Sequence, residues 1–122
     1  MKNLVLRAIT ANINLGNVYD GSVGITLNVN GSLVSGIIVS RREYFEISQN
    51  KIVKPFNDAI IKELEELGRE YDEADLENID LMYLKDAAYF TGSQRIPLQG
   101  GTVIAVNIDD ICSYNFGSLI VN

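Results

Sequence analysis

The chain has 122 residues, with 16 acidic against 10 basic side chains for a formal charge of −6, a pI near 4.5, one cysteine and no histidine. The missing histidine excludes a Ser-His-Asp triad and any histidine-containing zinc site, and the lone Cys112 excludes an intramolecular disulfide. The acidity opposes nonspecific attraction to nucleic-acid phosphates or anionic membranes, and no run of about 18 apolar residues is present, so one soluble, cytoplasmic domain over residues 1–122 is expected.

Residues 1–16 predict an N-terminal helix. Leu4, Val5, Ala8, Ile9, Asn12 and Ile13 recur at helical spacing, with Asn3 placed to cap and Gly16 to stop it. A turn over Asn17–Gly21 leads to a hairpin over residues 23–40, where Asn30-Gly31 sits between two alternating runs. That pair takes the positive φ at both central positions of a two-residue type I′ turn. The resulting register pairs Val29 with Ser32, Leu27 with Val34, Ile25 with Gly36 and Val23 with Ile38. One face then collects Ile25, Leu27, Val29, Val34 and Ile38, while Thr26, Asn28 and Ser35 share the other. A slip of one residue would exchange the faces, so the pattern holds the register. Gly36, a glycine inside a strand, predicts a bulge or a sharp coil.

A helical, acidic insertion occupies residues 41–79. Ser40 precedes Glu43 by three residues, the spacing of a capping box, so a helix should start near Arg41 and bury Tyr44 and Phe45 or Ile47. Asn50–Pro55 reads as its end. A second helix runs from Pro55 to about Tyr71 with Phe56, Ile60, Leu64 and Leu67 as an apolar stripe and Asp58, Lys62, Glu65 and Glu66 opposite. Such a stripe normally packs on its own domain, and the other use for it is to cover a partner. From Glu63 to Asp80 nine carboxylates meet only Arg69. They form either a solvated face or a docking surface for a basic partner, with Glu63, Glu65, Glu66 and Glu70 as the candidate contacts.

Residues 80–122 supply three further strands: Leu81–Thr91, with apolar residues on both faces; Thr102–Asn107; and Cys112–Ile120. Gly92–Gly101 is a turn or hairpin loop between the first two, and Ile108–Ile111 a tight helical turn before the last. In the closing strand Cys112 alternates with Ser113 and reads as a small core residue. The predicted class is α+β, mainly β: a five-stranded Sm-like or SH3-like small barrel with an N-terminal helix and a helical insertion between strands 2 and 3. Such barrels leave edge strands that pair between copies, so a homo-oligomer is expected.

No catalytic constellation emerges. None of the glycines lies at a strand-to-helix junction with phosphate-loop spacing, the acidic run Asp72–Glu77 lacks the turn glycine of a calcium loop, and Asp109-Asp110 lies on a tight turn suited to capping. The expectation is therefore no enzyme, no cofactor and no metal. Tyr44 and Phe45 are candidate protein contacts, with core packing as the competing role.

The segment LNVNGSLVSGIIVSRREYFE, residues 27–46, resembles the signature of the gas vesicle accessory protein U family: an asparagine-glycine hairpin, a V-S-G, then a serine-initiated helix carrying E-Y-F. A second block agrees in order and spacing, in Leu84-Lys85-Asp86-Ala87, Tyr89-Phe90, Ile96-Pro97 and Asn115-Phe116-Gly117. In the fourth strand Ile104-Ala105-Val106 stands where the family carries tryptophan-arginine-glycine. The resemblance implies a non-enzymatic accessory protein that helps gas vesicles assemble or governs their association, with gas vesicle shell or assembly proteins as partners. The competing function is an Sm-like oligomeric RNA-binding module using Lys85, Arg95 and the loops near Asn28, Asn30 and Asn107. The acidic balance and the apolar fourth strand count against it.

Overall fold

The computed structural model describes residues 2–16, 23–47, 52–68 and 75–117. The elements are α1 (Leu4–Asn14), β1 (Val23–Val29), β2 (Ser32–Val39), α2 (Arg41–Glu46), α3 (Lys54–Glu66), β3 (Leu81–Thr91), β4 (Gln94–Ile96), β5 (Thr102–Asn107) and β6 (Ile111–Phe116), with 3-10 turns at Leu76–Asn78 and Ile108–Asp110. The turn at Asn17–Gly21 and the last residues of the closing strand lie outside the described residues.

The hairpin forms in the expected register, with Asn30 and Gly31 both at positive φ. Its strands join one antiparallel sheet of order β4-β3-β2-β1-β6, and β5 pairs with β3 on the edge it shares with β4. The described residues form six strands rather than five, because the 92–101 loop contains the three-residue β4. Nor is the sheet a closed barrel: β5 and β6 form no ladder among the described residues. It is nonetheless curled. Asn107 to Ile111 spans four Cα steps, at most about 15 Å, whereas four strand spacings in a flat sheet would separate β5 from β6 by about 19 Å. The 3-10 turn at 108–110 contracts that link further.

The bend has a visible cause. Pairing between β2 and β3 shifts between Ser35 and Ile37, opposite Asp86, whose φ is 48°. A Cβ on Gly36 would stand 2.7 Å from Ala87 Cβ, and one on Gly101, across the other edge of β3, would stand 2.6 Å from Asp86 Cα. Glycine is required on both flanks for the strands to close over the bulge. The reason for Gly36 is thus Ala87 on β3 rather than its hairpin neighbour Ile25.

The concave face of the sheet holds the core: Ile25, Leu27, Val34, Ile38, Met82, Leu84, Ile104 and Val106, closed by Leu6 and Ile13 of α1 and by Ile108 and Ile111. The buried face of α1 is Leu6, Arg7, Thr10, Ala11 and Ile13, while Leu4 and Val5 stay exposed, a rotation from the face that hydrophobicity alone predicts. Arg7 turns the helix. Its side chain is 5% exposed, donating to the carbonyl of Ile79 and to Asp109, with Asp80 at 3.9 Å.

Asn3 is likewise not a side-chain cap. It sits in the left-handed region, and its Nδ2 donates to the carbonyls of Ile108 (2.8 Å) and Ile111 (3.0 Å), fastening α1 to the corner between the two ends of the sheet. Asn3→Ala loses both bonds and places a β-carbon residue without a polar anchor at positive φ, so we expect a loss of about 2 kcal/mol in urea unfolding. Asn3→Gly should lose less, since glycine tolerates the backbone; equal losses would show that conformation contributes nothing.

Cys112 is exposed, contrary to the core reading. Among the described residues β6 pairs with β1 alone and only its first residue, Ile111, is buried, so alternation along this edge strand does not report burial. Thr26 and Ser35 share the face opposite Ile25 and Leu27, as expected; both are buried and hydrogen-bond each other at 3.1 Å, with Thr26 also donating to the Gly117 carbonyl.

Candidate functional site

The helical insertion carries the candidate residues, and its first helix is tied to the convex face of the sheet. Ser40 Oγ accepts from the Glu43 amide, one half of the capping box. Glu43 does not return the bond; its carboxylate accepts from Lys85 Nζ on β3 at 3.0 Å. Tyr44 and Phe45 are half-buried, with ring centroids 4.7 and 6.3 Å from that of Tyr83, so α2 stacks two aromatic rings on the back of β3. The Arg41 guanidinium lies 5.2 Å from the Phe45 centroid. Tyr44 and Phe45 therefore belong to a packed aromatic cluster that leaves part of each ring in contact with water.

Two polar contacts hold α3 to α2. Arg41 donates to Asn57 Oδ1, and Lys54 pairs with Glu46 at 3.0 Å, which holds the lysine pKa above its ordinary value through that hydrogen bond and charge. Between the helices lies a groove of about 270 Å³, with Arg42, Phe45, Asp58 and Ile61 among its walls. Asn57, Ile61 and Leu64 lie on the more covered side of α3. Three of the four residues of the apolar stripe do not pack on their own domain, Phe56 being 71% exposed, Ile60 55% and Leu67 67%, while Leu64 is half-buried. Periodicity revealed the stripe but carried no signal for the turn that Arg41 and Lys54 impose.

Glu63, Glu65 and Glu66 are exposed, and Glu70 lies outside the described residues. At about 100° per residue, Glu63 and Glu66 border the stripe on the side away from α2, whereas Glu65 falls with Asp58 on the far side. The helix thus brings two of the expected acidic contacts to one edge and separates the third.

Four side chains of the RNA reading are engaged within the protein. Lys85 is engaged by Glu43, Arg95 donates to the carbonyls of Pro97 and Gly100 in its own loop, Asn28 accepts from the Gly31 amide and Asn107 from the Asp109 amide.

A family model described as gas vesicle protein GvpU-like matches residues 6–119. The chain belongs to the GvpU-like gas vesicle family. In this GvpU-like protein the match spans the sheet, α1 and both insertion helices, so the exposed stripe lies within the family region. Comparison with curated proteins and with solved structures gave no significant match. No helix among the described residues is long and apolar enough to cross a membrane.

Proposed function

We propose that this GvpU-like protein is a non-enzymatic gas vesicle accessory factor that assists assembly or governs clustering of vesicles through protein–protein contacts, in the cytoplasm beside the vesicle. The family match over residues 6–119 carries this reading. It is supported by the chemistry of the exposed surface, where a carboxylate-bordered helix stands away from the sheet and offers contacts to a protein. Gas vesicle shell or assembly proteins are the natural partners. The edge of β6 away from β1, which has no strand partner among the described residues, is the place for self-association.

Flotation tests the proposal directly. Tagged protein mixed with purified gas vesicles should rise with them, and Glu63→Lys/Glu66→Lys should reduce the floated fraction at least threefold if the acidic edge faces a basic partner. Protein that stays in the infranatant at every salt concentration would defeat the accessory role. Unchanged flotation of the charge-reversed variant would remove this edge from the contact.

A further inference from the structure

We infer that the apolar ridge of α3 is a docking surface for a basic amphipathic helix of another protein, an inference that rests on the accessory reading above. Phe56, Ile60 and Leu67, with Ile52 and Val53 beside the start of the helix, are all exposed, and at helical spacing Phe56, Ile60 and Leu67 form one continuous ridge. Scattered surface hydrophobes need no explanation, but Phe56 and Ile60 on one side of α3, continued by Val53 and Leu67 at its two caps, mark an interaction surface. Two contacts favour this outward presentation: Asn57 is held by Arg41 and Lys54 by Glu46, and α3 would lose both by turning its apolar side inward.

Charge selects the occupant. Glu63 borders the open side of the ridge, with Glu66 one turn on and further round beside its i,i+4 neighbour Lys62, while Lys54 is paired with Glu46. A helix with Lys or Arg flanking its own apolar stripe would set cations against both carboxylates while covering Phe56 and Ile60. A second copy fits poorly. Antiparallel pairing centred on Ile60 would set Glu63 across from Asn57 and Glu66 across from Lys54, which is already paired with Glu46, so neither carboxylate gains a free cation. An anionic lipid surface would be repelled by the same two carboxylates.

The test uses the full chain and a labelled synthetic peptide of about 18 residues, leucine at helical a and d positions and lysine elsewhere. Fluorescence anisotropy should show saturable binding that weakens about tenfold in Phe56→Ser/Ile60→Ser. In Glu63→Gln/Glu66→Gln it should weaken severalfold and lose much of its salt dependence between about 0.05 and 0.3 M. All four side chains are exposed, so the melting temperatures should match wild type. Equal peptide binding by wild type and the Phe56/Ile60 variant overturns the inference, as does equal binding of a leucine–glutamate peptide. So does light scattering that shows a wild-type dimer converted to monomer by Phe56→Ser/Ile60→Ser, since the occupant would then be a second copy. Flotation separates the two levels. Wild type that fails to float with vesicles defeats the accessory reading, whereas intact flotation with no peptide discrimination defeats the docking surface alone.

Discussion

Replacing Arg7 by methionine should lower stability by about 3 kcal/mol and the melting temperature by roughly 10–15 °C. Methionine keeps an unbranched apolar stem, so the loss isolates the guanidinium. That group joins three segments far apart in the chain: it donates to the Lys2 carbonyl at 2.8 Å, to the Ile79 carbonyl before β3, and to Asp109 in the turn that links the two ends of the sheet. The carboxylates themselves are not the main term. Asp109 is 55% and Asp80 75% exposed at the side chain, so both rehydrate when the cation goes. The Ile79 carbonyl, in a residue 4% exposed, loses its buried donor instead, at about 1–3 kcal/mol. Asp109→Asn should therefore cost under about 1 kcal/mol, and Arg7→Lys should fall between, keeping the charge but losing the planar fork that reaches several acceptors at once. Chemical denaturation at two salt concentrations checks the assignment. A loss from Arg7→Met below about 1 kcal/mol, or one that disappears in high salt, would make the contact a surface ion pair.

This arginine also marks where sequence reasoning stops. The hairpin, its register, the bounds of β3 and β5 and the start of α2 were legible because each follows from chemistry within a few residues: Asn30-Gly31 for the turn, Ser40 and Glu43 for the cap, alternation for the strands. Arg7 pairs with residues 72 and 102 positions away, and the face of α1 rotates to satisfy it, which no helical period encodes. Asn3 is the same case, spent on the 108–111 corner rather than on its own helix. Strand alternation misplaced Cys112 because burial on a curled sheet depends on which edge is covered, not on parity alone. For the candidate site, the apolar and acidic composition of α3 was plain, but its orientation was not. Contacts from outside the helix's own period, Arg41 to Asn57 and Lys54 to Glu46, accompany the outward placement of Phe56 and Ile60, whereas the period itself sets Glu63, not Glu65, at their border.

The glycines of the bulge carry the second large effect. Gly36→Ala should destabilise by about 2–4 kcal/mol, although alanine is a better strand residue than glycine and the backbone there has no positive φ. The cause is contact: the new Cβ would lie 2.7 Å from Ala87 Cβ and 3.1 Å from both Ala87 Cα and the Lys85 carbonyl. Gly31→Ala provides the contrast. Nothing lies within 4 Å of its added Cβ, and only the φ of +91° resists it, so it should cost about 1–2 kcal/mol. Because the nearest clash at Gly36 is between two methyl positions, Ala87→Gly can relieve it. Alone it removes a buried methyl and should cost about 1–2 kcal/mol. Combined with Gly36→Ala it should recover more than about 1 kcal/mol relative to the sum of the single losses. Gly101→Ala has no such remedy, since its Cβ would meet the Asp86 backbone at 2.6 Å, where no side-chain truncation helps. If Gly36→Ala and Ala87→Gly are simply additive, close approach is not what Gly36 serves. The bend that brings β5 toward β6 would then have to arise from Asp86 and Gly101 alone.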